Sequence, residues 1–106
     1  MMNQRTLTDI MSRHLHTVAP GDSLADAARC MAGQRISSLI VVADGLPVGI
    51  LTERDMLRHM ASETSGELRV AQAMSAPVVT AHPDTPFAQA WGQMNARNLR
   101  HLVVVD

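Results

Sequence analysis

The chain repeats itself. Adding 63 to each residue number from Met11 onward lays one segment on another without a gap. Met11 and Ser12 meet Met74 and Ser75, Thr17 meets Thr80, and Pro20 meets Pro83. Ala25, Ala27 and Met31 meet Ala88, Ala90 and Met94, while Leu39, Val41 and Val42 meet Leu102, Val104 and Val105. Such a chain has to build one supersecondary unit twice and bury the apolar face of each. Its 106 residues suit one compact module. The polar run 62–67 is the plausible linker. It divides the sequence into 1–66, a lead-in with the first copy, and 67–106, a partial second copy.

Within the first copy, Leu7 to Arg13 reads as a short lead-in helix or turn anchored by Ile10 and Met11. His16-Thr17-Val18 is a short extended piece, stopped by Pro20-Gly21. Ser23 is placed as an N-cap. The helix after it carries Leu24, Ala27, Ala28 and Met31 on one stripe and should end near Gly33. Ile36 to Ala43 is a short β-branched run that predicts a strand buried on much of both faces. Asp44-Gly45 signals a turn into an antiparallel strand, Val48 to Leu51, and a helix follows from Glu53 to about Ala61. In the second copy Thr85-Pro86 predicts a helix start with Pro at its first position. The stripe recurs as Phe87, Ala90, Trp91 and Met94, with Trp91 expected in the core or a helix interface. A strand follows over Leu99 to Val105. The counterpart of Gly49 would fall at 112, beyond Asp106, so this last strand is expected to lack its hairpin partner. Its open edge predicts either cover from another chain or a longer protein.

Composition removes several function classes. A net charge of -1 gives no field for nucleic acid or an anionic membrane. One Phe, one Trp and no Tyr make a poor base-stacking platform. No apolar run approaches a membrane span, and the first residues lack a signal-peptide core, which predicts a cytoplasmic protein. Cys30 is the single cysteine, placed on a helix beside Met31, and reads as a small apolar filler. His14-x-His16 has no third ligand nearby, so no metal site is expected. No nucleophile set or carboxylate pair points to catalysis, and an enzyme is not expected.

The most informative stretch is Gly49-Ile50-Leu51-Thr52-Glu53-Arg54-Asp55. Thr52 with Asp55 three residues on is the spacing that satisfies free amides at a helix start. The same groups suit a ligand. A helix N-terminus attracts anions, a Thr hydroxyl bonds a phosphate or sugar oxygen, and a carboxylate accepts from two ribose hydroxyls. Gly49 would let a ligand approach the backbone closely. Capping and ligand contact are both open at this point, and one residue can serve both.

The ordered set resembles paired CBS domains, the Bateman module. It runs Ile10-Met11-Ser12, Thr17-Val18-Ala19-Pro20, Ala27-Ala28-x-x-Met31, Ile36 to Val42 and Gly49 to Asp55. It is met again from Ala73-Met74-Ser75 to Arg100-His101-Leu102-Val103-Val104-Val105-Asp106. The resemblance implies an α+β fold of two small sheets flanked by helices, related by a pseudo-two-fold axis, with the second unit incomplete. It implies a cleft between the copies for an adenosine compound: AMP, ADP, ATP or S-adenosylmethionine. By the family's Gly-x-x-Thr-x-x-Asp pattern, Asp55 would hold the ribose and Thr52 the ribose or phosphate, beside Gly49. Backbone at Thr17 and Val18 would read adenine, and Arg100 and His101 would reach phosphate. The first copy has Ser37 and Ser38 at the latter place, and Ser38 joins the expected ligand contacts without charge. The expected function is a regulatory, non-catalytic sensor of such a nucleotide, acting on an attached or partner effector. It would be a homodimer that neither binds nucleic acid nor inserts in a membrane, with no required cofactor. An oligomerisation module that binds no ligand is the alternative.

Overall fold

The computed structural model describes residues 5–11, 16–61, 67–99 and 101–105; of Ile10 and Ala61 it describes the backbone alone. Its element order is α1 (Leu7–Ile10), β1 (Thr17–Val18), α2 (Leu24–Gln34), β2 (Ser38–Ala43), β3 (Leu46–Thr52), α3 (Glu53–Ala61), α4 (Val70–Ala73), β4 (Thr80–Ala81), α5 (Phe87–Arg97) and β5 (Val103–Val104). These elements fall into two compact units. One is His14–Val78; the other joins Met1–Arg13 to Val79–Asp106.

In the unit His14–Val78 a three-stranded sheet runs in the order β1-β2-β3. The β2–β3 hairpin turns on Asp44 and Gly45, both left-handed at φ 52 and 77, the backbone a two-residue turn needs to match strand twist. The hairpin is antiparallel as expected, with Ser38 opposite Thr52, and it slips register between Val41 and Val42. β1 lies parallel to β2 on the other side, Thr17 opposite Ile40. The core gathers Ala27 and Met31 of α2, Leu39, Val41 and Leu51 of the sheet, and Val70 and Ala73 of α4. Leu39, Val41, Leu51 and Val70 are each 0% exposed, and each burial contributes roughly 1.5–3 kcal/mol before chain entropy. Ser23 caps α2 as its sequence implies, its Oγ accepting from the Asp26 N–H at 3.2 Å. The helix runs one residue past Gly33 and stops at Arg35, which takes the left-handed conformation itself, φ 56.

In the unit of Met1–Arg13 with Val79–Asp106, β4 and β5 pair in parallel, Thr80 opposite Val103. Three expectations change here. The strand is Val103–Val104, shorter than Leu99 to Val105. Helix α5 starts at Phe87, so Pro86 is its N-cap and not its first residue. Thr85 does not cap it: its Oγ1 accepts from the His82 N–H at 3.2 Å and closes the preceding turn. Asp22 does the same for Ala19 in the first copy, at 2.8 Å. The predicted buried stripe is buried only at Ala90. Phe87 is 41% and Trp91 55% exposed, and their rings stack on each other at 6.1 Å. Trp91 therefore lies outside the core of its unit.

Each short lead-in helix belongs to the unit of the other copy. The Leu7 N–H donates to the Thr85 carbonyl at 3.0 Å, and the Val70 N–H to the Asp22 carbonyl at 2.9 Å. Thr8 donates to Pro83 and Ala71 to Pro20. In return Phe87 donates to Arg5 and Leu24 to Leu68. Every bond in one set has its counterpart in the other, displaced by the repeat. The exchange places α4, and with it the segment Met74–Ser75, beside β3 and α3.

Candidate functional site: the start of helix α3

Thr52 and Asp55 close the start of α3 reciprocally. The Asp55 N–H donates to Thr52 Oγ1 at 3.2 Å, and the Thr52 N–H donates to Asp55 Oδ2 at 3.0 Å. This is the two-way bonding of a capping box with Asp in place of Glu, and the capping role read from the sequence is present. The Thr52 hydroxyl also donates to Oδ2, at 3.0 Å. The Glu53 N–H goes to the Ser37 carbonyl at 3.0 Å, which ties the helix to the lead-in of β2.

The other carboxylate oxygen is taken up from outside the box. Ser75 Oγ donates to Asp55 Oδ1 at 3.2 Å. The Arg58 guanidinium lies 3.4 Å from the same oxygen, with its side chain 63% exposed. Asp55 is 1% exposed. A carboxylate offers about four acceptor positions; here Oδ2 accepts two hydrogen bonds and Oδ1 accepts one, beside the Arg58 ion pair. That satisfaction permits a charged group to sit so deep.

Ser75 is held in place through its backbone. Ile50 and Ser75 exchange both N–H···O bonds, at 3.0 and 2.9 Å, so the segment adds a rung to the free edge of β3. Gly49 makes this approach possible. A Cβ there would stand 2.5 Å from Met74 Sδ and 3.2 Å from the Ser75 carbonyl oxygen. The close approach at Gly49 is thus made by the chain's own Met74–Ser75 segment.

The expected ligand residues divide as follows. Thr52, Asp55 and buried Ser38, opposite Thr52 in the hairpin, lie at one end of the sheet, whereas Gly49 lies in the middle of β3, opposite Val41. Thr17 and Val18 lie on β1, the opposite edge strand, with β2 and β3 between them and Ser75; Thr17 is exposed and Val18 half-buried. His101 is exposed and belongs to the other unit. Arg100 lies outside the described residues, as does His14. Ser75 and Arg58 were not foreseen. Ser75 is 20 positions from Asp55, and its only sequence signal is its match to Ser12 in the repeat. Among the described residues no cluster of three or more His, Cys, Asp or Glu is arranged to hold a metal ion. No helix there is long and apolar enough to cross a membrane.

A second feature of this unit is the face shared by α2 and α3. An open groove of about 700 Å³ is lined by Leu24, Ala28, Met56 and Met60 with Arg29 and Arg69. It continues into one of about 550 Å³ bearing Met31, Ile36 and Leu57. Leu57 is 65% and Met60 78% exposed on it.

Two small sheets with helices, built on a repeat in which each unit takes its lead-in helix from the other copy, define a repeated α+β module of one kind. The CBS domain profile matches residues 7–62 and again 70–106. The chain belongs to the CBS domain family. It is 30% identical over 102 residues to the CBS domain-containing protein YhcV of Bacillus subtilis, covering 95% of this chain and 73% of that one. It is 32% identical over 101 residues to a homoserine O-acetyltransferase of Methanohalobium evestigatum, 94% of this chain but 20% of that enzyme. Among solved structures it is similar to the CBS domain pair of protein MJ0100 in complex with 5′-methylthioadenosine and S-adenosyl-L-methionine. The TM-score is 0.82 at 28% identity, over 98% of this chain and 82% of that one. It is also similar to CBSX2 in complex with AMP, with a TM-score of 0.73 at 26% identity over 95% and 81% of the two chains. Both structures hold adenosine compounds.

Proposed function

We propose that this chain is a non-catalytic sensor of an adenosine nucleotide, with Asp55 and Thr52 at the centre of its site. The observation that carries this reading is the Gly49-x-x-Thr52-x-x-Asp55 turn. It places a carboxylate and a hydroxyl at the start of a helix, in a family whose solved pairs include complexes with AMP and S-adenosylmethionine. Asp55 accepts from the ribose and Thr52 faces ribose or phosphate oxygens. Thr17, Val18, Ser38, Gly49, Arg100 and His101 are further contacts in this reading. The ligand acts by binding one arrangement of the module more tightly than another, which an effector reads as a shifted population. The protein works as a cytoplasmic homodimer joined through exposed helix faces such as that of Leu57 and Met60.

Titration calorimetry with AMP, ADP, ATP and S-adenosylmethionine tests this. Saturable binding that disappears in Asp55→Ala is expected. Binding unchanged in Asp55→Ala would move the site elsewhere, and no binding of any of the four would remove the sensor reading. Arg100→Ala and His101→Ala, run with ATP against AMP, read whether this basic pair contributes to phosphate recognition.

A second reading, an oligomerisation module that takes no ligand, is favoured by one observation. Asp55 already accepts three hydrogen bonds from the chain itself and pairs with Arg58. Absence of binding together with a stable dimer would establish it.

A further inference from the structure

We propose that Ser75 is a built-in competitor for the nucleoside, its hydroxyl holding the acceptor on Asp55 that a ribose hydroxyl needs. This rests on the reading that Asp55 takes the ribose. Both oxygens of Asp55 already accept hydrogen bonds, two at Oδ2 and one at Oδ1 beside the Arg58 ion pair, so a ribose hydroxyl competes with a donor already in place, and the two oxygens differ in what displacement means.

Oδ2 is bonded by the Thr52 N–H and by the Thr52 hydroxyl. Taking it away would leave a backbone amide at the helix start without its partner. Oδ1 is bonded by Ser75 Oγ and approached by Arg58. Both of these residues are exposed at the surface of the unit, so each regains water on release. Oδ1 is therefore the exchangeable oxygen, and Thr52 keeps the carboxylate aimed while the exchange takes place.

Little else has to move. The backbone of Ser75 is fixed by its two bonds to Ile50, and Met74 is seated against Gly49. Release of Oδ1 needs a turn about the Ser75 χ1 bond between staggered positions and a swing of the exposed Arg58 side chain. One hydroxyl donor replaces another, and the difference is what Ser75 subtracts from ligand affinity. Ser75 thus sets the concentration at which the site responds.

The test is calorimetric titration of AMP and, in parallel, S-adenosylmethionine, both of which carry the ribose diol. The proteins are the whole chain, Ser75→Ala, Ser75→Thr and Asp55→Ala. Ser75→Ala is expected to bind three- to tenfold more tightly, the range that one neutral hydrogen bond allows. Ser75→Thr restores the hydroxyl and is expected near the parent value. Ser75→Cys, a weaker donor of similar size, shifts in the direction of Ser75→Ala and stands in for it if that variant does not unfold cooperatively. Equal or weaker binding by Ser75→Ala, with binding still lost in Asp55→Ala, would overturn the competition and leave the site at Asp55 in place. Binding that survives Asp55→Ala, or no binding of either compound by any variant, would overturn both readings.

Discussion

Gly49 and Met74 occupy one space: a Cβ on Gly49 would lie 2.5 Å from Met74 Sδ and 3.1 Å from its Cγ. Glycine is required there by the approach of a neighbouring segment, since its φ is not left-handed. Gly49→Ala is expected to destabilise the chain by about 1–3 kcal/mol, the usual effect of overfilling a packed site. Urea unfolding measures it. In a Met74→Ala background the same substitution should do less harm, leaving only the contact at 3.2 Å with the Ser75 carbonyl. Two equal losses would show that Met74 is not the obstacle.

Thr52→Val removes the hydroxyl that both receives the Asp55 amide and donates to Oδ2. A loss of about 0.5–2 kcal/mol is expected from the cap, with Thr52→Ser close to the parent. Chemical denaturation followed by circular dichroism distinguishes them. Parity between Val and the parent would mean the reciprocal bonds contribute nothing net.

Leu51 is 0% exposed on the central face of β3. Leu51→Ala should lower stability by about 2–5 kcal/mol. A smaller change would mean the sheet collapses onto the space left behind.

The helix α4 supplies Val70 and Ala73, at 0% and 3% exposure, to a core otherwise made by the first copy. A fragment spanning 14–78 should therefore unfold cooperatively, while one spanning 1–66 should not. Cooperative unfolding of 1–66 would show that α4 is dispensable to that core.

Leu57→Asp and Met60→Asp change side chains 65% and 78% exposed. Within one chain they should alter unfolding by no more than about 0.5 kcal/mol. If the α2–α3 face joins two copies, light scattering will show the mass falling to that of a monomer. An unchanged dimeric mass would place the interface elsewhere.

What the sequence made legible was local. The cap at Thr52 and Asp55, the turn at Asp44-Gly45 and the stripe of α2 each lie within a few residues, where spacing dictates geometry. The repeat carried the family. What stayed hidden was tertiary. Periodicity tells which face of α5 is apolar but not what covers it, so Phe87 and Trp91 looked buried and are not. The Thr85-Pro86 pair fits a helix start as well as a turn, and the turn bond to His82 won. The bond from Ser75 to Asp55 depends on where α4 docks, which no local pattern encodes.

The exchanged lead-in helices also dictate an order of events during synthesis. The Thr8 hydroxyl bonds to the carbonyl of Pro83, 75 positions along the chain. At about 5–20 residues per second, helix α1 waits on the order of 4–15 s for its partner to be made. The core holding α4 has all its residues once Ser75 has emerged, so it can close first. Helix α1, made before that core, belongs to the unit that closes after it, and until then Leu7, 6% exposed in the finished structure, has no place of its own to hide.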